Sequence, residues 1–121
     1  MIVDADVVIG FLDASDAHHE RAVVELGQAI RAGGPLAIAA TAYSEVHVAP
    51  RRAGCGTIVD RFLDDARIEV VAIDRSLARA VGELRALHRG LRVPDACTLA
   101  VARGRGEPLL TFDASLARLA R

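Results

Sequence analysis

The chain has 121 residues, 52% hydrophobic and 26% charged, a size and balance that suit a soluble single domain over residues 1–121 with a real core. The net charge of −1 hides a split: residues 1–50 hold seven acids against two arginines, net −5, residues 51–121 hold nine acids against thirteen arginines, net +4, and lysine is absent. No apolar run approaches the roughly 20 residues of a membrane span and no signal-peptide pattern is visible, so no membrane association and a cytoplasmic location are expected.

Residues 1–12 (MIVDADVVIGFL) read as the first, central strand and its exit, apolar but for Asp4 and Asp6. Their i, i+2 spacing puts both on one face of an extended chain, where an unpaired carboxylate is costly. Neither capping nor solvation accounts for an acid in mid-strand. Val23, Leu26 and Ile30 then fall at helical spacing within residues 16–31, which Gly33 and Gly34 stop. His18 and His19 begin that helix and are expected to face solvent.

A second strand, PLAIAA (35–40), leads into helical turns carrying Glu45 in TAYSEV. Residues 58–63 form a short amphipathic core, and IEVVAI (68–73) a third strand. Leu77, Val81, Leu84 and Leu87 mark a helix over residues 74–89, ended by Gly90. Residues 94–103 begin with proline in a first helical turn that includes Asp95 and end at Gly104. EPLLTF (107–112) is the last strand, with Asp113 directly after it.

Strands alternating with helices imply right-handed crossovers and a three-layer α/β/α sandwich with a mainly parallel sheet of four or five strands. In such sheets reactive groups collect at the carboxyl ends of the strands, which singles out Asp4, Asp6, Glu45, Asp95 and Asp113. Taken singly, Asp95 is equally a helix-dipole acid, Asp113 an N-cap and Glu45 an exposed helix residue. Gathered together, they would repel one another unless a cation sat among them. Oxygen-only donors suit Mg²⁺ or Mn²⁺, and the chemistry such a centre supports is metal-assisted phosphodiester hydrolysis.

Other chemistries lack their parts. No Walker-type glycine loop or G-x-G-x-x-G is present. No histidine pair has zinc-ligand spacing, and neither Ser44 nor Ser76 sits in a nucleophile elbow. Cys55 and Cys97 lie in no metal or disulfide pattern and read as free thiols. D-A-D-V-V also resembles the start of aspartyl-phosphate enzymes of the haloacid dehalogenase type, but those hold phosphate with a lysine, and this chain has none.

IVDADVVIGFLD, TAYSEV, LRVPDACTLAVA and LLTFDASLARL, in this order and across nearly the whole chain, together resemble the PIN domain, and within it the small VapC-type toxins of bacterial toxin–antitoxin pairs. The resemblance implies that Asp4, Glu45, Asp95 and Asp113 form an acidic quartet that activates water, with Asp4, Asp95 and Asp113 as ligands of Mg²⁺ or Mn²⁺. It further implies an endoribonuclease acting on structured RNA such as tRNA or ribosomal RNA, a homodimer, and inhibition by a cognate antitoxin. Asp6 departs from the family, which more often has Asn or Ser there. Thr111 matches a frequent family hydroxyl that orients a carboxylate or water, and is equally an ordinary strand threonine.

RNA approaching an acidic pocket calls for a basic rim, and Arg51, Arg52, Arg89 and Arg92 are best placed by sequence. With only Phe11, Tyr43, Phe62 and Phe112 aromatic, base stacking on an exposed platform is not expected to carry recognition. The competing expectation is a non-catalytic PIN-like module that binds RNA or a protein partner.

Overall fold

The computed structural model describes residues 1–121. In chain order it comprises β1 (Ile2–Val3), α1 (Ala5–Leu12), α2 (His19–Ala32), β2 (Leu36–Ala39), α3 (Ala40–Arg52), α4 (Thr57–Ala66), β3 (Ile68–Val71), α5 (Arg75–Leu87), α6 (Val93–Arg105), β4 (Leu109–Leu110) and α7 (Ala114–Ala120). The four strands pair in parallel in the order β3-β2-β1-β4. No helix is long and apolar enough to cross a membrane.

Alternation along each strand builds the two faces. Val3, Leu36, Ile38 and Ile68 pack with α1, α2, α3 and α4. Ile2, Ala37 and Ala39 point the other way, against α5, α6 and α7. The alanines matter because they let α6 approach the sheet closely. Every residue of α6 from Ala96 to Ala102 is buried, and most are small. The sandwich expected from the strand–helix alternation is therefore the observed architecture, with four strands.

The topology also fixes where a crevice opens. The chain steps from β1 outward to β2 and β3 through helices on one face, then returns to β4, on the other side of β1, through α5 and α6 on the opposite face. Reversing direction while changing face keeps the hand of the crossovers constant. At their carboxyl ends β1 therefore exits toward α1 on one face and the adjacent β4 toward α7 on the other. A sheet of this kind opens its binding crevice at that switch point.

Two expectations are corrected here. The first strand does not extend through residue 12: it ends at Val3, and residues 5–12 are helical. Asp4 adopts extended backbone (φ −82°, ψ 161°) and its carboxylate accepts from the Ala5 N–H, making it the N-cap of α1. A capping acid followed by Asp6 in the first turn outweighs the strand preference of the β-branched residues behind them. Asp4 and Asp6 thus do not share a strand face. Helix α6, for its part, continues past Gly104 and stops at Gly106, which takes the left-handed conformation (φ 61°).

Candidate active site

The register of the sheet brings the first acids together. Ile2 pairs with Leu109 and Val3 with Leu110, and the Asp4 N–H donates to the Leu110 carbonyl (2.9 Å). The chains emerging from β1 and β4 therefore run side by side, Asp4 beside Thr111. The Thr111 hydroxyl donates to Asp4 Oδ2 at 2.8 Å and accepts from the Asp113 N–H at 3.1 Å. Asp6 Oδ2 lies 3.5 Å from the same hydroxyl. One hydroxyl proton goes to one acceptor, and the shorter contact takes it. Asp6 instead accepts from the Phe112 N–H at 3.0 Å.

Asp113 caps α7, accepting from the N–H groups of Ser115 (2.9 Å) and Leu116 (3.0 Å). Asp95 stands in the first turn of α6, with its carboxylate 3.8 Å from Arg92 Nε and one-quarter exposed. Glu45 projects from the second turn of α3. The capping role open to Asp113 and the first-turn position open to Asp95 are thus both realised, and neither prevents the carboxylates from facing the crevice.

The electrostatics tie the group together. Asp4 is buried, and its pKa is raised, first by burial and further by the charges of Asp95 and Asp113, against the opposing pull of the Thr111 and Ala5 hydrogen bonds. Asp6 is raised to about 6 by burial and by the charge of Asp4. Glu45 is raised by burial and by Asp4 and Asp95, with Arg92 opposing. Acids from four separate parts of the chain therefore feel one another, as like charges sharing a site do.

The donor set is chemically that of a hard divalent ion: carboxylates, a hydroxyl, and Asp6 Oδ1, which is buried without a hydrogen-bond partner. In their present rotamers the carboxylates stay apart. No group of three or more His, Cys, Asp or Glu side chains is close enough to hold an ion. The residues fit such an ion in kind and in mutual electrostatic stress.

The arginines expected at the rim separate. Arg92 reaches toward Asp95 and acts on Glu45. Arg89 lines a cavity of about 590 Å³ together with Asp95 and Asp113. Arg51 and Arg52 are exposed in the last turn of α3, about 10 Å along the helix from Glu45 at 1.5 Å per residue. Arg51 packs over Gly56.

Sequence reasoning missed a second group. His18 is exposed, as expected, but its ring lies 5.0 Å from that of Phe112, and the Arg21 guanidinium sits 4.4 Å from the Phe112 ring centre. His19 is not free in solvent: its Nδ1 is 2.8 Å from the Gly10 carbonyl. The i, i+3 spacing of His18 and Arg21 was the available signal, but only the fold brings Phe112 between α2 and the acids. His47, two residues after Glu45, turns instead toward α4, edge-on to Tyr43 and 3.7 Å from Asp60. Cys55 and Cys97 are unpaired, as expected.

The sequence matches the PIN domain family over residues 1–121. No curated protein sequence matches it. Among solved structures, the chain is similar to VapC20 of Mycobacterium tuberculosis, described as a sarcin-ricin loop cleaving toxin, with a TM-score of 0.77 and 19% identity over 97% of this chain and 92% of that one. It is also similar to a chain of a toxin–antitoxin complex from Klebsiella pneumoniae, with a TM-score of 0.72 and 24% identity over 91% of this chain and 83% of that one.

Proposed function

This chain belongs to the PIN domain family, and from that premise we propose that it is a single-domain, metal-dependent endoribonuclease, the toxin of a toxin–antitoxin pair. The observation that supports the proposal is mutual proximity among acids from four parts of the chain: Asp4 feels the charges of Asp95 and Asp113, Glu45 feels those of Asp4 and Asp95, and Asp95 and Asp113 line one cavity. Asp4, Asp95 and Asp113 would hold Mg²⁺ or Mn²⁺. The ion supplies polarisation of the phosphate and a lowered pKa for the attacking water.

The protein's own residues do the rest. Thr111 aims Asp4 through its 2.8 Å hydrogen bond and is itself oriented by the Asp113 N–H. Asp6, on the Phe112 N–H, adds negative charge behind Asp4 and acts as a positioning residue. Glu45 accepts no hydrogen bond from the protein and has a raised pKa, which suits it to take a proton from water. The substrate class is structured RNA, tRNA or ribosomal RNA. The toxin assignment brings a cognate antitoxin, a homodimer and a cytoplasmic setting with it.

Purified protein is expected to cut RNA with Mg²⁺ or Mn²⁺ and to stop with EDTA. Full activity in excess EDTA would sink the proposal. A second reading, a non-catalytic PIN-like module that binds RNA or a protein, is favoured by the spacing of the carboxylates, no three of which are close enough to share an ion. Calorimetry separates the two: heat from binding of Mg²⁺ or Mn²⁺ that is lost in Asp4→Asn supports the nuclease, and no binding supports the module.

A further inference from the structure

The crevice is not symmetrical about its acids. On one side lies the cavity of about 590 Å³, within the range of ligand-binding clefts, lined by Asp95 and Asp113 together with His88, Arg89, Ser115 and Arg118. On the other side, beyond Glu45, is a smaller groove of about 320 Å³ lined mainly by apolar side chains of α1, α3 and α4 and by no arginine. A polyanion crossing the acids would meet arginines in the lining of the first side and none in the lining of the second.

Arg89 and Arg118 are free to meet it. Arg21, Arg92 and Arg105 are each within ion-pair distance of a carboxylate, but neither Arg89 nor Arg118 is, although Asp95 and Asp113 line the same cavity. Arg118 is steadied instead by donating from Nη2 to Ser115 Oγ at 3.2 Å, which leaves its charge uncompensated. At the same cavity Leu87 is 76% exposed, the most exposed large apolar side chain in the protein. Cation and apolar surface side by side match the phosphate and base of one nucleotide.

We propose that this cleft, between the α5–α6 turn and α7, holds the RNA strand on one side of the scissile phosphate, with Arg89 and Arg118 clasping a flanking phosphate and Leu87 contacting its base. The assignment rests on the ribonuclease reading for its substrate. It adds Arg118, which sequence did not single out, and ranks Arg89 above Arg51 and Arg52. The cleft has no Phe, Tyr or Trp, its one ring being His88, and apolar contact between Leu87 and a base face reads no hydrogen-bonding edge, so it is tolerant of sequence.

The test is binding of a short single-stranded RNA in EDTA, followed by fluorescence anisotropy across a range of NaCl, for wild type, Arg89→Ala, Arg118→Ala and the Arg51→Ala/Arg52→Ala pair. Arg89 and Arg118 are exposed, so these variants are expected to fold, which their melting curves check. Each of the two single variants is expected to weaken binding about tenfold and to reduce the slope of log affinity against log salt by about 0.7. The Arg51/Arg52 pair should shift affinity by less than about twofold.

Wild-type affinity in both single variants, or an equal loss in the Arg51/Arg52 pair, overturns the cleft assignment. So does a wild type with no RNA affinity, which would leave the cleft to a polypeptide partner. The ribonuclease reading fails separately: arginine-dependent RNA binding without cleavage in Mg²⁺ or Mn²⁺ keeps the cleft and removes the nuclease. Metal-dependent cleavage unaffected by Arg89→Ala and Arg118→Ala does the reverse.

Discussion

Asp4 and Asp113 each accept backbone N–H groups of the helix they begin, and Thr111 links the two. Glu45 and Asp95, across the crevice, accept no hydrogen bond; Asp95 has only Arg92 at 3.8 Å. One half of the site is fastened to the ends of β1 and β4, and the other stands free on α3 and α6. Within the fastened half Asp4 and Thr111 are buried while Asp113 is exposed, and the hydrogen bonds to Asp4 offset part of the cost of its burial. The free half can adjust its rotamers to what binds.

If both halves serve the same chemistry, charge removal on either side should be equally damaging. Asp4→Asn and Asp95→Asn are each expected to lower RNA cleavage on the order of 100-fold or more while circular dichroism reports a folded protein. Loss for one and not the other would confine the chemistry to one half. Thr111→Val probes the fastening alone. It leaves Asp4 Oδ2 buried without its donor while Oδ1 keeps the Ala5 N–H, and is expected to cost about 1–3 kcal/mol in denaturant unfolding and to reduce cleavage about 10–100-fold, the effect expected if Asp4 is a metal ligand.

Acidity is common to both halves, since Asp4 and Glu45 are both raised. Asp6 holds its proton more tightly folded, with a pKa of about 6, than unfolded, near 3.8. Between those values the native state binds more protons, so the metal-free protein should lose stability as pH rises from about 4 to about 6. The raised values of Asp4 and Asp95-facing Glu45 act in the same direction. Asp6→Asn should flatten that slope in melting temperature against pH; an unchanged slope would remove Asp6 as its source.

The smallest effects are expected away from the fastened acids. Thr98 is fully buried in α6 with its hydroxyl unpartnered, so Thr98→Val should stabilise the fold by about 1 kcal/mol without altering cleavage. Arg92→Ala, at a side chain 82% exposed, should change stability by less than about 0.5 kcal/mol. A larger loss would show the free half to be held more firmly than its contacts indicate.

Much of this arrangement was legible in residues 1–121. The short apolar run PLAIAA, the helical spacing of Val23, Leu26 and Ile30, and Gly33, which ends α2, all reflect local rules, and the sandwich follows from the order of such elements. Asp4, Glu45 and Asp113 could be picked out because each lies just beyond a strand or in a helix that follows one, whereas Asp95 stands at the start of a helix that follows another helix and was marked by its segment, VPDACTLAVA. What failed was the beginning. Asp4 looked like an anomaly in a strand because the apolar residues after it suit a strand or a buried helix equally well, and the cap that decides between them is a backbone geometry.

Sequence by itself determined the α/β class and the family resemblance, and supplied the acids of the candidate site, since composition, periodicity and side-chain type act over short distances along the chain. Only the tertiary structure decided which residues meet. The β1–β4 register put Asp4 beside Thr111, the reversal of strand order opened the crevice there, and Arg118 and Phe112 joined the surroundings through contacts with residues distant in the chain. Such pairings depend on how strands align and which face each helix covers, and no local pattern in either partner carries that information.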